Sequence, residues 1–243
     1  MHALSSAELL DVWERGLHQA PVERALTLLG AARPDAPPDA LAALDVGRRD
    51  AALLELRGRT FGSRLISVVT CSQCGERLEF SFGIEDIRVA PADDASARRL
   101  SVDGYDVRFR PPDSRDLAAA TALAGPDAQR TSIIARCVLD ARRGGEPLST
   151  QALPAHVVDA VEEGMRHAAS QADVSIGIAC PCCGHEWQAA FDIVSYFWCE
   201  IETCARRILR DVHVLARAYG WHEREILALS AARRQCYLDM VRA

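Results

Sequence analysis

"CSQCGERL" occupies residues 71–78, and "CPCCGHEW" occupies residues 180–187. Each contains Cys-x-x-Cys-Gly, and the similarity extends outward on both sides. "LISVVTCSQCGERLEFSFGI" (65–84) and "VSIGIACPCCGHEWQAAFDI" (174–193) share one order: apolar strand, Cys turn, polar pair, aromatic-bearing strand. Leu78, Phe80 and Phe82 alternate as a half-buried strand requires. The sequence therefore carries one supersecondary unit twice, and each copy reads as strand, Cys turn, strand.

A Cys-x-x-Cys-Gly turn is a zinc knuckle: the Gly lets the backbone fold beneath a metal, and backbone N–H groups face the thiolates. One knuckle supplies two ligands, whereas a closed structural zinc site takes four. Cys71, Cys74, Cys180 and Cys183 are thus expected to form a single four-cysteine Zn2+ site, a zinc ribbon split by a long insertion. Cys74 and Cys180 lie 106 positions apart. The entropy of closing such a loop grows only logarithmically with length. Structural zinc contributes on the order of 10 kcal/mol or more, enough to offset it.

Competing chemistries use the same residues. Rubredoxin-like iron also sits between paired knuckles, and two independent thiol pairs would serve redox exchange. Cys182 lies inside the second knuckle and reads as a spare thiol, while His185 is an alternative ligand. Cys137, Cys199, Cys204 and Cys236 fall in helical patterns and read as small apolar core residues.

The remaining sequence is mainly helical, so the expected fold class is α+β, with a small antiparallel β unit built from the two Cys hairpins. The 243 residues divide into an N-terminal helical unit (1–62), a first ribbon half with short strands (63–110) and a helical insertion (111–169), then a second ribbon half (170–194) and a C-terminal helical unit (195–243). Ser5 and Glu8 form a capping-box pattern ahead of the first helix. A second helix starts at Pro21, and a third is expected from about Val46 to Arg57, stopping before Gly58 and Gly62. "APADDASARRL" reads as a polar loop and "YDVRFR" as a strand. Helices are expected over 114–123, 127–141 and 154–168. A long helix to Tyr219 is expected to be capped by Ser195, with Ile201, Cys204, Ile208, Val212, Leu215 and Tyr219 as its apolar stripe and Arg206, Arg207, Arg210 and Arg217 off it. Two short helices close the chain, the last capped by Ser230.

Composition narrows the function classes. Acidic residues outnumber Lys plus Arg 34 to 28, leaving a net charge of -6, and every one of those cations is arginine. That balance argues against a generally basic nucleic-acid coat. No apolar run approaches the ~20 residues that span a bilayer, and the first residues lack a secretory pattern. A reducing cytoplasm is the expected compartment, where nine Cys read as ligands and thiols rather than disulfides. There is no GxSxG, no phosphate-cradling GxxxxGK[ST], no HExxH and no dinucleotide fingerprint. The seven His are scattered, and Glu162-Glu163 and Asp93-Asp94 read as solvated charge pairs. A closed four-thiolate site leaves no coordination position for an activated water, so a non-enzyme is expected. The alternative is a zinc-ribbon nucleic-acid-binding regulator, with "WHEREILALSAARRQCYLDM" as a helix-turn-helix-like segment reading through Arg233 and Arg234.

The C-terminal segment "FDIVSYFWCEIETCARRILRDVHVLARAYGWHEREILALSAARRQCYLDMV" resembles the end of baseplate and baseplate hub assembly proteins of contractile phage tails and phage-tail-like injection systems. The resemblance rests on Tyr219-Gly220-Trp221, Glu225 to Ser230, Arg233, Arg234, Tyr237 and Leu238. "LDVGRRDAALLELRGRTFG" ahead of the first knuckle and "YDVRFRPPDSRDL" are similar to the same group. It implies a non-enzymatic structural or chaperone-like assembly protein, partnered by other baseplate or hub proteins. Such a protein is made in the cytoplasm of the producing bacterium and either stays there or enters the particle. Tyr219, Trp221, Arg233, Arg234 and Tyr237 are then the candidate partner-interface residues.

Overall fold

The computed structural model describes residues 1–89 and 97–242. Asp93-Asp94 and most of the expected polar loop lie outside the described residues. Helices α1 (Ser6–Gly16), α2 (Pro21–Ala32), α3 (Pro38–Ala42) and α4 (Val46–Phe61) come first. The hairpin β1 (Arg64–Thr70)–β2 (Arg77–Gly83) follows, then the short α5 (Ile84–Ile87). A middle section holds β3 (Arg98–Val102), β4 (Tyr105–Phe109), α6 (Ser114–Thr121), α7 (Pro126–Cys137), β5 (Val138–Arg143), β6 (Glu146–Pro147) and α8 (Ala155–Ala168). The second hairpin, β7 (Val174–Ala179)–β8 (Glu186–Phe191), leads into α9 (Ile193–Tyr219), α10 (Glu223–Leu227) and α11 (Ala231–Arg242). The α+β class with a small β unit from two distant Cys hairpins is what the chain adopts.

Local chemistry explains the clearest boundaries. Ser5 Oγ accepts from the Glu8 N–H, and Glu8 reciprocates by accepting from the Ser5 N–H at 2.8 Å. Ser230 Oγ accepts from the Arg233 N–H at 3.2 Å as α11 begins. Four expectations fail. The third helix continues through Gly58 to Phe61, because Gly58 is helix interior against Ile84 rather than a stop. The helix expected to reach Ala141 ends at Cys137, where Val138–Arg143 turns extended and pairs with β4. The long helix starts at Ile193, because Asp192 accepts from the Val194 N–H and takes the cap position; Ser195 Oγ instead donates to Asp192 at 2.6 Å. Residues 98–100 of the expected loop are strand.

Two hydrophobic cores result. The larger is lined by α1, α2 and α4 from one end of the chain and by α9 to α11 from the other: Leu28, Leu53, Leu56, Phe197, Ile201, Ile208 and Leu215 are all fully buried. The apolar stripe of α9 is wider than expected, adding Val194, Phe197, Trp198 and Ala205, while Tyr219 is 38% exposed. The smaller core packs α7 and α8 on the four-stranded sheet β3-β4-β5-β6, around Val107, Phe109, Cys137, Val157 and Val161.

The cores meet at a charged joint. The Val46 N–H donates to the Pro112 carbonyl at 2.9 Å, and Asp45 bridges Asp113. Asp116 is buried and receives Arg110 at 2.6 Å and Arg136 at 2.9 Å. Burial raises the Asp116 carboxyl, but hydrogen bonds from Arg110, the Asp113 N–H and Arg136 outweigh it and hold it well below the usual carboxylate range.

The two chain ends are also clamped without any cysteine. Arg57, on α4, is buried and forks onto Glu200 of α9 at 2.9 and 2.5 Å, while its third nitrogen donates to the Gly62 and Arg64 carbonyls. Tyr196 of α9 bonds both the N–H and the carbonyl of Ile66 at 2.9 Å. Both hairpins therefore grow from a base the helices already hold together.

Candidate metal centre

The two hairpins repeat in register as well as in sequence. Moving from Cys71 to Cys180 shifts numbering by 109, and the same shift carries the pair Thr70–Arg77 onto Ala179–Glu186 and Leu65–Phe82 onto Val174–Phe191. In each turn the Gly N–H donates to the carbonyl of the first Cys at 2.9 Å, and that Cys N–H donates to the Glu76 or His185 carbonyl at 2.8 Å. Gly75 and Gly184 have φ of 76° and 73°, a left-handed conformation that a Cβ would strain. This is why both copies carry glycine there.

The tips face each other. Cys71 Sγ lies 3.7 Å from Cys183 Sγ, and Cys74 Sγ lies 3.6 Å from Cys180 Sγ. First cysteine meets second cysteine in both directions, the reciprocity an approximate twofold relation produces. The equivalent residues Phe82 and Phe191 meet edge to face, ring centres 5.6 Å apart, nearer the base. All four sulfur atoms fall within 4.8 Å of one another. A tetrahedron of thiolates around zinc, with Zn–S near 2.3 Å, has edges of about 3.8 Å. The observed separations fit such an ion, and they lie far beyond the ~2.05 Å of a disulfide.

The electrostatics are those of a ligand set. Backbone N–H groups of Cys74 and Gln73 point at Cys71 Sγ and, with the neighbouring thiols, lower its pKa to about 7 against the opposing effect of burial. Cys74 receives the Glu76 N–H, which lowers it, yet partial desolvation among the clustered sulfurs and the thiols of Cys183, Cys180 and Cys71 push it up to about 12. Cys183 is raised by desolvation and by the thiols of Cys180 and Cys71, against the lowering effect of the His185 N–H and the Cys74 thiol. The amides favour thiolates, the crowded sulfurs stabilise the Cys71 thiolate at the expense of Cys74, and a central cation would remove that competition. Cys71 and Cys180 are buried; Cys74 and Cys183 are exposed, so the outer side of the site faces solvent.

The other sequence candidates settle elsewhere. Cys182 is exposed and stands outside the cluster. His185 stacks on Trp187 and contacts Ser72 at 3.4 Å rather than joining the sulfurs. Of the four helical cysteines expected in the core, only Cys137 is fully buried; Cys199 and Cys236 are exposed and Cys204 is half-buried. Tyr219, Trp221 and Tyr237 form an aromatic trio, with Tyr219 stacked on Trp221 at 4.7 Å and Tyr237 edge-on to Trp221 at 4.8 Å. Arg233 lies over the Tyr237 ring. Arg234 points inward, its side chain 6% exposed, with Nε 3.5 Å from Asp211 and both terminal nitrogens 3.2 Å from Ser6. It ties α11 to α9 and α1, with little of its side chain left at the surface. Sequence reasoning missed the Arg57–Glu200 clamp, whose members are 143 positions apart.

Residues 34–198 match the sequence model of the T4 bacteriophage base plate protein family. That span contains both knuckles, the joint between the cores and the start of α9, and the chain belongs to this family. Searches among curated proteins and solved structures return no match. The family gives the protein a structural place in a phage-type baseplate, among other baseplate proteins. Among the described residues no helix is long and apolar enough to cross a membrane.

Proposed function

We propose that the protein is a non-catalytic structural or assembly part of the baseplate of a contractile tail-like particle, and that Cys71, Cys74, Cys180 and Cys183 hold one structural Zn2+. The observation that carries the metal reading is the reciprocal meeting of two knuckles at tetrahedral spacing. With four thiolates as ligands, zinc has no open position for substrate or water, so its contribution is rigidity rather than Lewis-acid chemistry. The helical core joins the two hairpin bases, and the ion joins the tips, so the ribbon becomes a stiff projection from that core. The inward-turned Arg234 weighs against a nucleic-acid-reading helix at the C-terminus.

Metal analysis and mass spectrometry of the native protein, with a census of purified particles, test this reading. One zinc per chain and recovery with tail components support it. Iron would replace zinc by a rubredoxin-like site, and nucleic acid recovered in place of tail proteins would overturn the baseplate role. Presence in finished particles identifies a built-in part; presence only in assembly intermediates identifies a chaperone-like helper.

A further inference from the structure

We propose that the groove between α9 and the outer edge of β1 docks an acidic segment of another baseplate protein, with carboxylates paired to Arg207 and Arg210. The groove encloses about 530 Å3, floored by Phe61, Ile66 and Tyr196 and walled by Arg64, Arg207 and Arg210. That apolar floor is open to solvent, since Ile66 is 55% exposed.

The arginines carry the argument. Two nearby cations are satisfied by acids, Arg206 by Glu202 and Arg57 by Glu200, while Arg64 donates to the Ser81 hydroxyl at 2.8 Å. Arg207 and Arg210 reach only the Cys204 sulfur at 3.8 Å and the Arg206 carbonyl at 3.3 Å, with no carboxylate partner among the described residues. In a chain of net charge -6, two neighbouring guanidinium groups left without acids beside an apolar floor are complementary to carboxylates with apolar neighbours. The docking mode is also constrained. Ile66 already gives its N–H and carbonyl to Tyr196, and the Arg64 carbonyl accepts from Arg57. No strand can be added along that stretch of β1, so the segment binds through side chains. A duplex would need a broad basic surface, whereas this groove accommodates only a few side chains.

The proposal rests on the baseplate role, and it is tested in cells assembling the particle by placing a photo-cross-linking amino acid at the exposed Thr203 on the groove wall. The expected product joins Thr203 to an Asp- or Glu-bearing peptide of a different baseplate protein. Its yield should fall at least tenfold in Arg207→Glu/Arg210→Glu and also fall in the milder Arg207→Gln/Arg210→Gln. It should persist in the remote control Arg224→Glu. Circular dichroism and metal content confirm that each variant is folded. A cross-link indifferent to the groove variants, one to nucleic acid, one to a second copy of this chain, or none from a chain that still co-purifies with tail components would overturn the proposal. Loss of that co-purification in the unmodified protein would instead sink the baseplate role itself.

Discussion

Replacing Cys74 by Ser removes one ligand without altering a buried volume, and the structure specifies where the effect should be felt. At the bases of the hairpins, Tyr196 makes two hydrogen bonds to Ile66, each contributing about 1 kcal/mol. The Phe82–Phe191 pair adds about 0.5–1.5 kcal/mol beyond its area. Past that level the strands alternate exposed and half-buried residues up to the Cys turns, and two-stranded hairpins are marginal alone. Zinc binding on the order of 10 kcal/mol therefore dominates the free energy of opening the tips. If only about 4 kcal/mol of it is lost in Cys74→Ser, the open population rises about 1000-fold. Hydrogen exchange read by mass spectrometry should show this as loss of protection over residues 67–80 and 176–189, with α4 and α9 unchanged. Cys182→Ser should match the unmodified protein in both exchange and metal content. Retained protection at metal-free tips would refute the role given to the ion. Simultaneous loss in α4 and α9 would refute the claim that the helical core stands without it, and metal loss in Cys182→Ser would refute the ligand set.

Three further outcomes are expected. Arg57→Met should lower unfolding free energy by about 3–5 kcal/mol in denaturant titrations, because it strands Glu200 and two carbonyls; a loss under 1 kcal/mol would show that water replaces the clamp. Asp116 has its folded pKa depressed, so its contribution is complete above the ordinary carboxylate value of about 4 and is lost as pH falls from there toward the folded pKa. Asp116→Asn should be less stable at pH 7 and show a shallower decline below pH 4 in thermal melts; parallel profiles would contradict this. Brief iodoacetamide treatment at pH 8 should label Cys182, Cys199 and Cys236 but not Cys137, which is buried and has its thiol pKa raised to about 12. Cys74 and Cys183 should become reactive only after chelation, as peptide mapping would reveal; labelling of both before chelation would speak against a bound metal.

Legibility followed the range of the interactions. The four ribbon strands, the two Cys turns and their glycines are readable because period-two alternation and a positive-φ turn are short-range demands. The end of α7 is obscured for a local reason: Val138 and Leu139 follow Cys137 without a break, and only the Gly144-Gly145 turn signals that VLDARR is the strand of a hairpin. The α9 cap was misassigned because Asp192 and Ser195 are both good cap residues, and only the backbone shows which accepts the Val194 N–H. Arg233 and Arg234 are indistinguishable in sequence, yet one lies on an aromatic ring and the other is buried against Asp211.

By itself the sequence determined the repeated knuckle, the four ligand candidates, the α+β class and the kinship with baseplate proteins, since these depend on residue type and spacing along the chain. Only the tertiary structure decided that the N- and C-terminal helices share a core, that Arg57 and Tyr196 hold the hairpin bases, and that Arg207 and Arg210 lack acids. Each depends on groups brought together by burial of a common apolar surface, a free energy summed over the whole core, which no local window of sequence contains.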